Sequence, residues 1–326
     1  MRKKIRFGIL GCADIAKRKF IPALLKSRLA EFAGIASRSK ERRNDIAQRY
    51  KVKGYSYESL IRSDEIDAVY IPLPNYLHFE WCIKALEENK HVLCEKPIVL
   101  DLDSAYRLTR LAKRHNRLLM EGFMFLYHKQ HHKIKEIIER KMIGEPVLFR
   151  SSFGFFWNNP DNFRMKKEMG GGVIYDTGGY PLSIIRLLFN TEVKEATGYI
   201  HYNKKGLDLS FTATAKLENS MLAQLHGSFI QQYECFYQIV GTKGKITLDR
   251  CYTTPADLDN FIYLKKGYDD KRIKISAQDH FKNMIDYFCN NINSNQVKER
   301  LRKEIVLQAK AMQLIRGSLN PIRKDK

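Results

Sequence analysis

The sequence of 326 residues lacks long apolar runs. No stretch of about 18 apolar residues occurs, so we predict neither a membrane-spanning helix nor a membrane partner. A secretory or lipoprotein signal is not indicated either, because Arg6 interrupts the apolar segment before Cys12 and Asp14 closely follows it. We therefore interpret Met1–Lys4 as the solvated start of a strand and expect a cytoplasmic protein.

Closely spaced cysteines are also missing. The six cysteines stand at positions 12, 82, 94, 235, 251 and 289, and no two form a C-x-x-C pair. This spacing gives no support to a zinc ribbon or a thioredoxin motif and favours reduced, buried thiols. His128, His131 and His132 are spaced to cluster on a helix, but no cysteine or aspartate stands at ligand spacing from them, so we predict no metal site.

Acidic residues are few. The chain has 36 Asp and Glu against 57 Lys and Arg, a formal net charge of +21. Such a charge is typical of nucleic-acid-binding proteins, yet the basic residues are spread along the chain, with the densest clusters at Lys40–Arg43 and Arg323–Lys326. No RNA-recognition, zinc-finger or helix-turn-helix pattern accompanies them, so we predict no nucleic-acid partner. A general basic composition, or attraction for anionic small molecules, explains the charge equally well.

The first 120 residues alternate between strand and helix patterns, which predicts a parallel sheet with helices on both faces. Strands are expected at Ile5–Leu10, Phe32–Ala36, Ala68–Ile71, His91–Cys94 and Leu118–Met120. Helices are expected at Ile15–Leu25 (with an irregularity at Pro22), Ser39–Tyr50 (with Ser39 as N-cap), Leu77–Asn89 and Ser104–His115.

The remaining chain changes pattern. Helical spacing occurs at His131–Arg140, Val173–Phe189, Asp279–Asn291 and Val297–Ser318, and strand-like alternation occurs at Pro146–Phe155 and from Val193 to Leu264, with a hairpin signal at Gly241–Gly244. The predicted fold class is α/β: a doubly wound Rossmann domain over residues 1–122, then an α+β domain over residues 123–326 with a large, open-faced, mainly antiparallel sheet.

Gly11-Cys12-Ala13-Asp14-Ile15-Ala16 follows the first strand and approximates the dinucleotide-binding fingerprint G-x-G-x-x-G/A. The middle glycine, which lets the backbone approach the pyrophosphate closely, is replaced by Ala13. Either the loop tolerates one methyl group or the match is accidental. If the loop binds a dinucleotide, we expect the amides near Asp14 and Ile15 to hold the pyrophosphate at the helix N-terminus.

The end of the second strand indicates which dinucleotide is preferred. Glu31 has the sequence offset of the acidic residue that binds the NAD ribose, but it begins the strand, roughly 20 Å from the tip where the ribose lies. The tip itself carries Ser37 and Arg38, which suit a 2′-phosphate. We therefore predict NADP(H) in preference to NAD(H), although Arg38 as a solvated residue at a helix start is the alternative.

Four further motifs occur in order along the chain. They are YIPLPNYLH at 70–78 with Glu80-Trp81, HVLCEKP at 91–97, EGFMF at 121–125 with His128 and Gln130, and GGGVIYDTGGY at 170–180. Together they resemble the glucose–fructose oxidoreductase/inositol dehydrogenase (Gfo/Idh/MocA) family. Many members have histidine at the position of Tyr180. A tyrosine there resembles the glucose–fructose oxidoreductase, dihydrodiol dehydrogenase and sugar-ketoreductase branches.

The resemblance implies an active site built on Lys96, Asp176 and Tyr180. Lys96 would hydrogen-bond a substrate oxygen and stabilise developing alkoxide charge, and the family often has a cis Lys–Pro bond at this point. Tyr180 would act as general acid for carbonyl reduction, and Asp176 would orient a substrate hydroxyl or the lysine. The alternatives are a surface lysine, a buried core tyrosine and an aspartate that serves as an N-cap.

The resemblance also assigns binding residues. Those implied for the cofactor are Leu73, Pro74, Asn75, His78, Glu95, Lys96, Pro97 and Arg164, in addition to Gly11, Cys12, Ala13, Asp14, Ile15, Ser37 and Arg38. His78 as a buried supporting residue, and Arg164 as a surface arginine, are the alternatives. Trp157 and Asn158, with Tyr180, are candidates for the substrate wall, although Trp157 as a core residue is also open.

The expected function is hydride transfer between NADP(H) and a carbon of a sugar or sugar derivative. Within this expectation we single out a 3-keto reductase of a nucleotide-activated sugar, whose diphosphate suits the basic surface. A trans-dihydrodiol or aldose dehydrogenase is the second hypothesis, and a cofactor-binding regulator that contacts nucleic acid is the third. The resemblance also implies a homodimer or homotetramer formed through the open face of the second sheet.

Overall fold

The computed structural model describes residues 3–322. Of the predicted solvated start Met1–Lys4, the first two residues lie outside the described range, as does the basic cluster Arg323–Lys326. In residues 3–322, no helix combines the length and the apolar content that a bilayer crossing requires.

The chain divides into two compact units, and the first unit is not continuous in sequence. It comprises Met1–Met124 and Phe281–Ala309, and the second unit comprises Phe125–His280 and Lys310–Lys326. The boundary predicted between residues 122 and 123 stands close to the first division, but the return of 281–309 to the first unit was not predicted.

A six-stranded parallel sheet forms the middle of the first unit, in the order β3-β2-β1-β4-β5-β6. Its strands are β1 (Ile5–Leu10), β2 (Ala30–Ala36), β3 (Lys53–Tyr55), β4 (Ala68–Ile71), β5 (His91–Cys94) and β6 (Leu119–Glu121). All four residues of β4 and of β5 are buried, as expected for strands covered on both faces. The predicted Rossmann sheet is confirmed, and only β3 was missed.

Helices join these strands. They are α1 (Ile21–Lys26), α2 (Lys40–Tyr50), α3 (Tyr57–Arg62), α4 (Asn75–Glu87) and α5 (Leu102–Arg114). Ser39 caps α2 as predicted, because its side chain accepts a hydrogen bond from the Arg42 amide at 3.2 Å. The irregularity expected near Pro22 is a π-helical turn over Ala16–Phe20, which directly precedes α1.

The second unit is built on a nine-stranded sheet. Its helices are α6 (Lys129–Glu139) and α7 (Gly179–Phe189), and its strands are β7 (Pro146–Gly154), β8 (Val193–Tyr202), β9 (Asp208–Leu217), β10 (Leu222–Ser228), β11 (Glu234–Gly241), β12 (Lys245–Asp249), β13 (Asn260–Lys266) and β14 (Asp269–Ile275). Buried and exposed residues alternate along β9, so one face of the sheet is covered and the other is open. The hairpin predicted at Gly241–Gly244 is confirmed by the bond from the Gly241 amide to the Gly244 carbonyl, 2.8 Å.

The chain ends with α8 (His280–Asn291), α9 (Asn295–Gly317) and the short strand β15 (Leu319–Pro321). The order of the sheet in the second unit is β14-β13-β12-β11-β7-β10-β9-β8-β15; β7 and β10 are parallel, as are β8 and β15, and the other pairs are antiparallel. In the first unit, Phe288 of α8 packs on Phe7 of β1 with 5.3 Å between ring centroids. Ile305 and Ala309 of α9 join the same unit's buried core. These apolar contacts explain why 281–309 belong to the first unit.

Candidate active site

The carboxyl ends of β1, β2, β4 and β5 meet at one edge of the parallel sheet, where doubly wound folds bind their ligands. Gly11 stands at the tip of β1 and donates its amide to the Ala36 carbonyl of β2 at 2.8 Å. Its φ of +117° is strongly disfavoured for other residues, and an added Cβ would lie 2.9 Å from Cδ2 of Leu73. The backbone at this position therefore requires glycine.

Cys12, Ala13 and Ile15 are half-buried in the loop that follows Gly11. Burial raises the pKa of the Cys12 thiol, and a hydrogen bond with the Ser37 side chain opposes that shift. Asp14 is exposed and forms an ion pair with Lys17 at 2.9 Å, which lowers its pKa. The predicted pyrophosphate loop thus contacts the predicted ribose-binding tip through Cys12 and Ser37.

Arg38 is exposed at the end of β2, and its partner was not predicted. The phenol of Tyr57, the first residue of α3, hydrogen-bonds with Arg38; burial raises the pKa of this phenol. The Tyr57 ring packs edge-on against Trp81, with 4.9 Å between centroids. Tyr57 therefore limits the directions in which the Arg38 guanidinium points.

His78 holds two strand ends together. The imidazole is fully buried, with Nδ1 2.8 Å from the Pro97 carbonyl and Nε2 2.7 Å from the Leu73 carbonyl. Burial lowers its pKa to about 4, while the two carbonyl contacts act in the opposite direction. The neutral ring carries one N–H and so donates to one of the two carbonyls at a time. Because no surface of the ring is exposed to a ligand, the predicted direct contact of His78 with a cofactor is corrected. His78 instead positions the strand ends that carry Leu73 and Pro97.

Lys96 is half-buried just beyond β5, and its peptide bond to Pro97 is cis, as the resemblance implies. Its neighbour Glu95 accepts a hydrogen bond from the Tyr70 hydroxyl at 2.6 Å. Tyr70 is fully buried and stacks on Phe20 at 3.6 Å. Pro74 is the N-cap residue of α4, and Asn75, which begins that helix, is buried at the same edge.

The glycine triplet 170–172 shapes the entry to α7 in the second unit. An added Cβ on Gly171 would lie 2.5 Å from the carbonyl oxygens of Phe163 and Arg164. Gly172 has a φ of +107°, and its amide donates to the Arg164 carbonyl at 2.9 Å. The absence of side chains in the triplet therefore allows the backbone of the segment that carries Arg164 to pack directly against it.

Asp208, at the start of β9, supports the same turn and was not predicted. Its Oδ2 accepts the amide of Ile174 at 2.7 Å, and an added Cβ on Gly172 would overlap its carboxylate. Burial raises the pKa of Asp208, while the amides of Ile174 and Val173 act in the opposite direction. Asp208 thus caps the π-helical turn Ile174–Gly178 that carries Asp176.

Asp176 and Tyr180 are both nearly buried, with 8% and 5% of their surfaces exposed. Asp176 pairs with Arg164 through an Nε–Oδ2 distance of 2.9 Å, so Arg164 is not an isolated surface arginine. Val173 and Gly178 occupy the N-cap positions of the π-helical turn and of α7, so Asp176 is not an N-cap. The Tyr180 ring packs against Phe153, Tyr252 and Phe125, with centroids 5.1 to 5.3 Å away.

Trp157 and Asn158 follow β7. Trp157 is half-buried, and its ring centroid lies 5.4 Å from the guanidinium carbon of Arg164. Its indole N–H is buried and has no hydrogen-bond acceptor among the described residues. Asn158 is exposed. Trp157 is therefore adjacent to the Arg164–Asp176 pair.

Of the three histidines considered for a metal, His131 has other partners for both ring nitrogens. His131 contacts the Tyr237 hydroxyl at 2.9 Å and the Cys251 carbonyl at 3.1 Å. Burial lowers the pKa of His128 to about 4. Between residues 3 and 322, no three His, Cys, Asp or Glu side chains are grouped as a metal site requires.

Comparison with known proteins identifies the family. Residues 5–123 match an oxidoreductase family with an NAD-binding Rossmann fold, GFO_IDH_MocA, and residues 131–247 match the GFO/IDH/MocA C-terminal domain. The chain belongs to the Gfo/Idh/MocA family. The recognition made from the motifs is therefore confirmed, together with the α/β fold class and the assignment as an oxidoreductase.

Relatives within the Gfo/Idh/MocA family match over most of their length. The chain is 34% identical, over 90% of its length and 89% of the relative's, to a dTDP-3,4-didehydro-2,6-dideoxy-alpha-D-glucose 3-reductase of Saccharopolyspora spinosa. A protein of the same name from Actinomadura kijaniata is 32% identical, over 98% of this chain and 96% of that one. KijD10, a 3-ketoreductase from A. kijaniata solved in complex with NADP and TDP-benzene, superimposes with a TM-score of 0.91 at 30% identity, covering 98% of this chain and 99% of that one.

The described residues fit the dinucleotide that the Gfo/Idh/MocA name implies. Gly11 supplies the positive-φ turn. Asp14 and Ile15 are the first two residues of the following helix, so their amides lie at the helix N-terminus. Ala13 is half-buried. The turn at Gly11 and the start of the helix are thus formed with the methyl group of Ala13 in place of the middle glycine of the fingerprint.

Proposed function

We propose that this chain is an NADP(H)-dependent reductase of a keto group on a nucleotide-activated sugar. The observation that carries the proposal is that Lys96 lies at the same sheet edge as the Gly11 loop. Leu73 packs against Gly11, and the buried His78 contacts the carbonyls of Leu73 and Pro97, so the two strand ends are held together. A proton-handling residue beside a dinucleotide loop is the arrangement that hydride transfer to a carbonyl requires.

The cofactor supplies or accepts a hydride at its nicotinamide when bound. The residues proposed to bind it are Gly11, Cys12, Ala13, Asp14, Ile15, Ser37, Arg38, Leu73, Pro74, Asn75, Glu95, Lys96, Pro97 and Arg164. Arg38 would pair with the 2′-phosphate, and its contact with Tyr57 supports this role because a partly oriented guanidinium loses less freedom on binding.

Proton transfer is assigned to Lys96 and Tyr180. In the reductive direction, Tyr180 would donate its phenolic proton to the carbonyl oxygen of the substrate, and Lys96 would stabilise the negative charge that develops there. Asp176, ion-paired with Arg164, would orient a substrate hydroxyl. Burial of the Tyr180 ring among three aromatic residues supports this assignment, because it fixes the direction of the hydroxyl.

The substrate class follows from the relatives and from charge. The relatives that match nearly the whole chain include 3-reductases of dTDP-linked deoxysugars. A net charge of +21 favours a substrate with a diphosphate. Trp157, whose half-buried ring lies beside Arg164, and the exposed Asn158 are proposed for the substrate wall.

The test is a substrate panel. NADPH oxidation is followed at 340 nm with nucleotide-linked 3-keto deoxysugars, the same sugars without nucleotide, and free aldoses; oxidation of trans-dihydrodiols is followed with NADP⁺. Turnover with the nucleotide-linked ketone at least tenfold above the others supports the proposal. Preferential turnover of dihydrodiols or aldoses replaces it with the second hypothesis, and absence of turnover together with tight, salt-sensitive DNA binding replaces it with the third.

We also propose a homodimer or homotetramer formed through the open face of the sheet in the second unit. Arg150, Gln224, Gln238 and Thr247 are hydrogen-bonded side by side across this face at 3.0 to 3.3 Å. Tyr199 and Leu222 on the same face are 63% and 48% exposed, and a second chain that covered them would remove apolar surface from water. Light scattering on a gel-filtered sample tests this, and a monomer at micromolar concentration contradicts it.

A cytoplasmic location is the remaining proposal. The six cysteines, all within residues 3–322, form no disulfide, which suits a reducing compartment. Fractionation of cells that produce the protein tests it, and recovery of the protein outside the cytoplasm contradicts it.

A further inference from the structure

A cluster of basic side chains lies at the amino-terminal edge of the parallel sheet in the first unit. It consists of His91 at the start of β5, Arg117 just before β6, and Lys298 and Arg302 on α9. We call these four residues the Arg117 cluster. Glu95, Lys96 and Pro97, which are assigned to the cofactor, follow the carboxyl end of β5, so the Arg117 cluster belongs to the opposite edge of the sheet.

Hydrogen-bond donors face each other in the Arg117 cluster. The amide of Leu118 donates to Nδ1 of His91 at 2.9 Å, so the neutral ring carries its proton on Nε2. That Nε2 lies 3.4 Å from Nη1 of Arg117, which also carries only donors. Nε of Arg117 is buried and has no acceptor within residues 3–322. Two groups therefore present N–H bonds to the same space without an acceptor between them.

Most of the positive charge in the Arg117 cluster also lacks an acidic partner. Lys298 is only 4% exposed, and its ammonium donates to the carbonyl and side-chain oxygens of Asn116 at 3.0 and 2.9 Å, both of them neutral. Burial, then Arg117 and Arg302, lower the pKa of Lys298. Burial, then Arg117 and Lys298, lower the pKa of His91 to about 3, and the Asp67 carboxylate acts weakly in the opposite direction.

Only Arg302 has an acidic partner, Glu299. Within the described part of the chain, no carboxylate forms an ion pair or hydrogen bond with Arg117 or Lys298. Buried charges are stable mainly when they are paired, so this arrangement favours an anion over a cation or a neutral group.

We propose that the Arg117 cluster binds a tetrahedral oxyanion, of which inorganic phosphate and sulfate are the simplest forms. The anion accepts hydrogen bonds from the Arg117 guanidinium and from His91 Nε2, and it offsets the charge of Lys298 and Arg302. Because Lys298 and Arg302 belong to α9 and the other two residues flank strands of the sheet, a bound anion links α9 to the sheet of the first unit. This site does not depend on the proposed enzymatic function.

The thermal midpoint of the full chain tests the proposal, measured against phosphate or sulfate concentration with ionic strength held constant by sodium chloride. Binding to the native state raises the midpoint by mass action. We expect phosphate and sulfate to raise it in the parent, with an apparent affinity at least tenfold weaker in Arg117→Gln and in Arg302→Gln. In chloride alone, Arg117→Gln should be at least as stable as the parent, because it removes an unpaired buried donor.

Two control variants show where the anion binds. Arg110→Gln removes an exposed arginine of α5 that donates to the carbonyl of Tyr106, and Arg38→Gln removes a phosphate ligand from the cofactor edge. Both should keep the full phosphate response. An equal response in the parent and Arg117→Gln, loss of the response in Arg38→Gln alone, or no difference between phosphate and chloride overturns the proposal; in the last case water satisfies the donors.

Discussion

Tyr180 shows how much of the proposed chemistry rests on one hydroxyl group. Its ring is held by Phe125, Phe153 and Tyr252, all within 5.3 Å between centroids. Tyr180→Phe keeps these contacts and removes only the proton donor. We expect turnover to fall roughly 10²-fold or more, as is typical when a general acid is lost, while the midpoint of thermal unfolding changes little.

Steady-state NADPH oxidation and a thermal melt on the same sample check this prediction. Phe153→Leu is the control, since it alters the packing of the ring but leaves the hydroxyl. Near-normal turnover in Tyr180→Phe would remove Tyr180 from the mechanism.

Arg38 is the residue on which cofactor choice depends. Arg38→Gln should weaken NADP⁺ binding roughly tenfold or more, because hydrogen bonds to charged groups contribute about 1.5–3 kcal/mol, and should leave NAD⁺ binding nearly unchanged. Titration calorimetry with both cofactors measures this. Arg49→Gln, which removes an arginine beside Tyr50, is the matched control, and equal affinity of the parent for the two cofactors would rule out the predicted preference.

At the residue scale, the sequence predicted positions at strand ends better than it predicted their partners. Arg38 and Lys96 could be placed because a residue that follows a strand lies at the ligand-binding edge. Tyr57 and Asp208 were missed, because their roles depend on contacts with residues 19 and 34 positions away in the chain. His78 was assigned to the cofactor because its motif does not show that the ring is buried.

The glycine triplet before α7 is the element that the proposed site depends on most. Gly172→Ala introduces strain of about 1–3 kcal/mol from its positive φ and a similar amount from overlap with Asp208. Gly267 also has a positive φ, +59°, but an added Cβ meets nothing within 4 Å. We expect Gly172→Ala to lose about twice as much free energy of unfolding as Gly267→Ala and to lose turnover, which Gly267→Ala keeps.

Urea unfolding and NADPH oxidation of both variants check this prediction. Equal stability losses in the two variants would show that Asp208 does not fix the turn.

Elements with strong periodicity could be predicted, and short or highly charged ones could not. β1, β4 and β5 have the predicted bounds because their apolar runs end at Gly or Pro or at polar residues. β3 has only three residues, and β14 reads Asp-Asp-Lys-Arg-Ile-Lys-Ile, with no apolar alternation over its first four residues. Their strand structure comes from pairing with β2 and β13, which local sequence does not encode.

At the scale of the whole molecule, the two-unit organisation was predicted only in part. The pattern change near residue 122 marked where the second unit starts, but no local signal showed that Phe281–Ala309 returns to the first. That assignment depends on contacts such as Phe288 with Phe7, between residues 281 positions apart.

Stability of the whole chain should depend on pH through its buried histidines. Burial lowers the pKa of His78 from 6.5 to about 4, so the unfolded chain binds more protons than the folded chain between these values. The resulting stabilisation is complete above pH 6.5 and is lost as pH falls toward 4, by on the order of 3 kcal/mol for His78, since one pKa unit corresponds to about 1.4 kcal/mol.

Urea unfolding measured at several pH values between 4 and 7.5 checks this prediction. His78→Gln should show a shallower loss of stability with acid than the parent. Equal slopes would show that the His78 ring is not held neutral by its burial.

The most direct test of the central claim measures turnover and cofactor binding together in the parent and Lys96→Met. Oxidation of NADPH is followed with a nucleotide-linked 3-keto sugar, and NADPH binding is followed by fluorescence on the same samples. The parent is expected to reduce the sugar, and Lys96→Met to bind NADPH with similar affinity while losing most of its turnover. No reduction of the sugar by the parent, or near-normal turnover by Lys96→Met, would contradict the account.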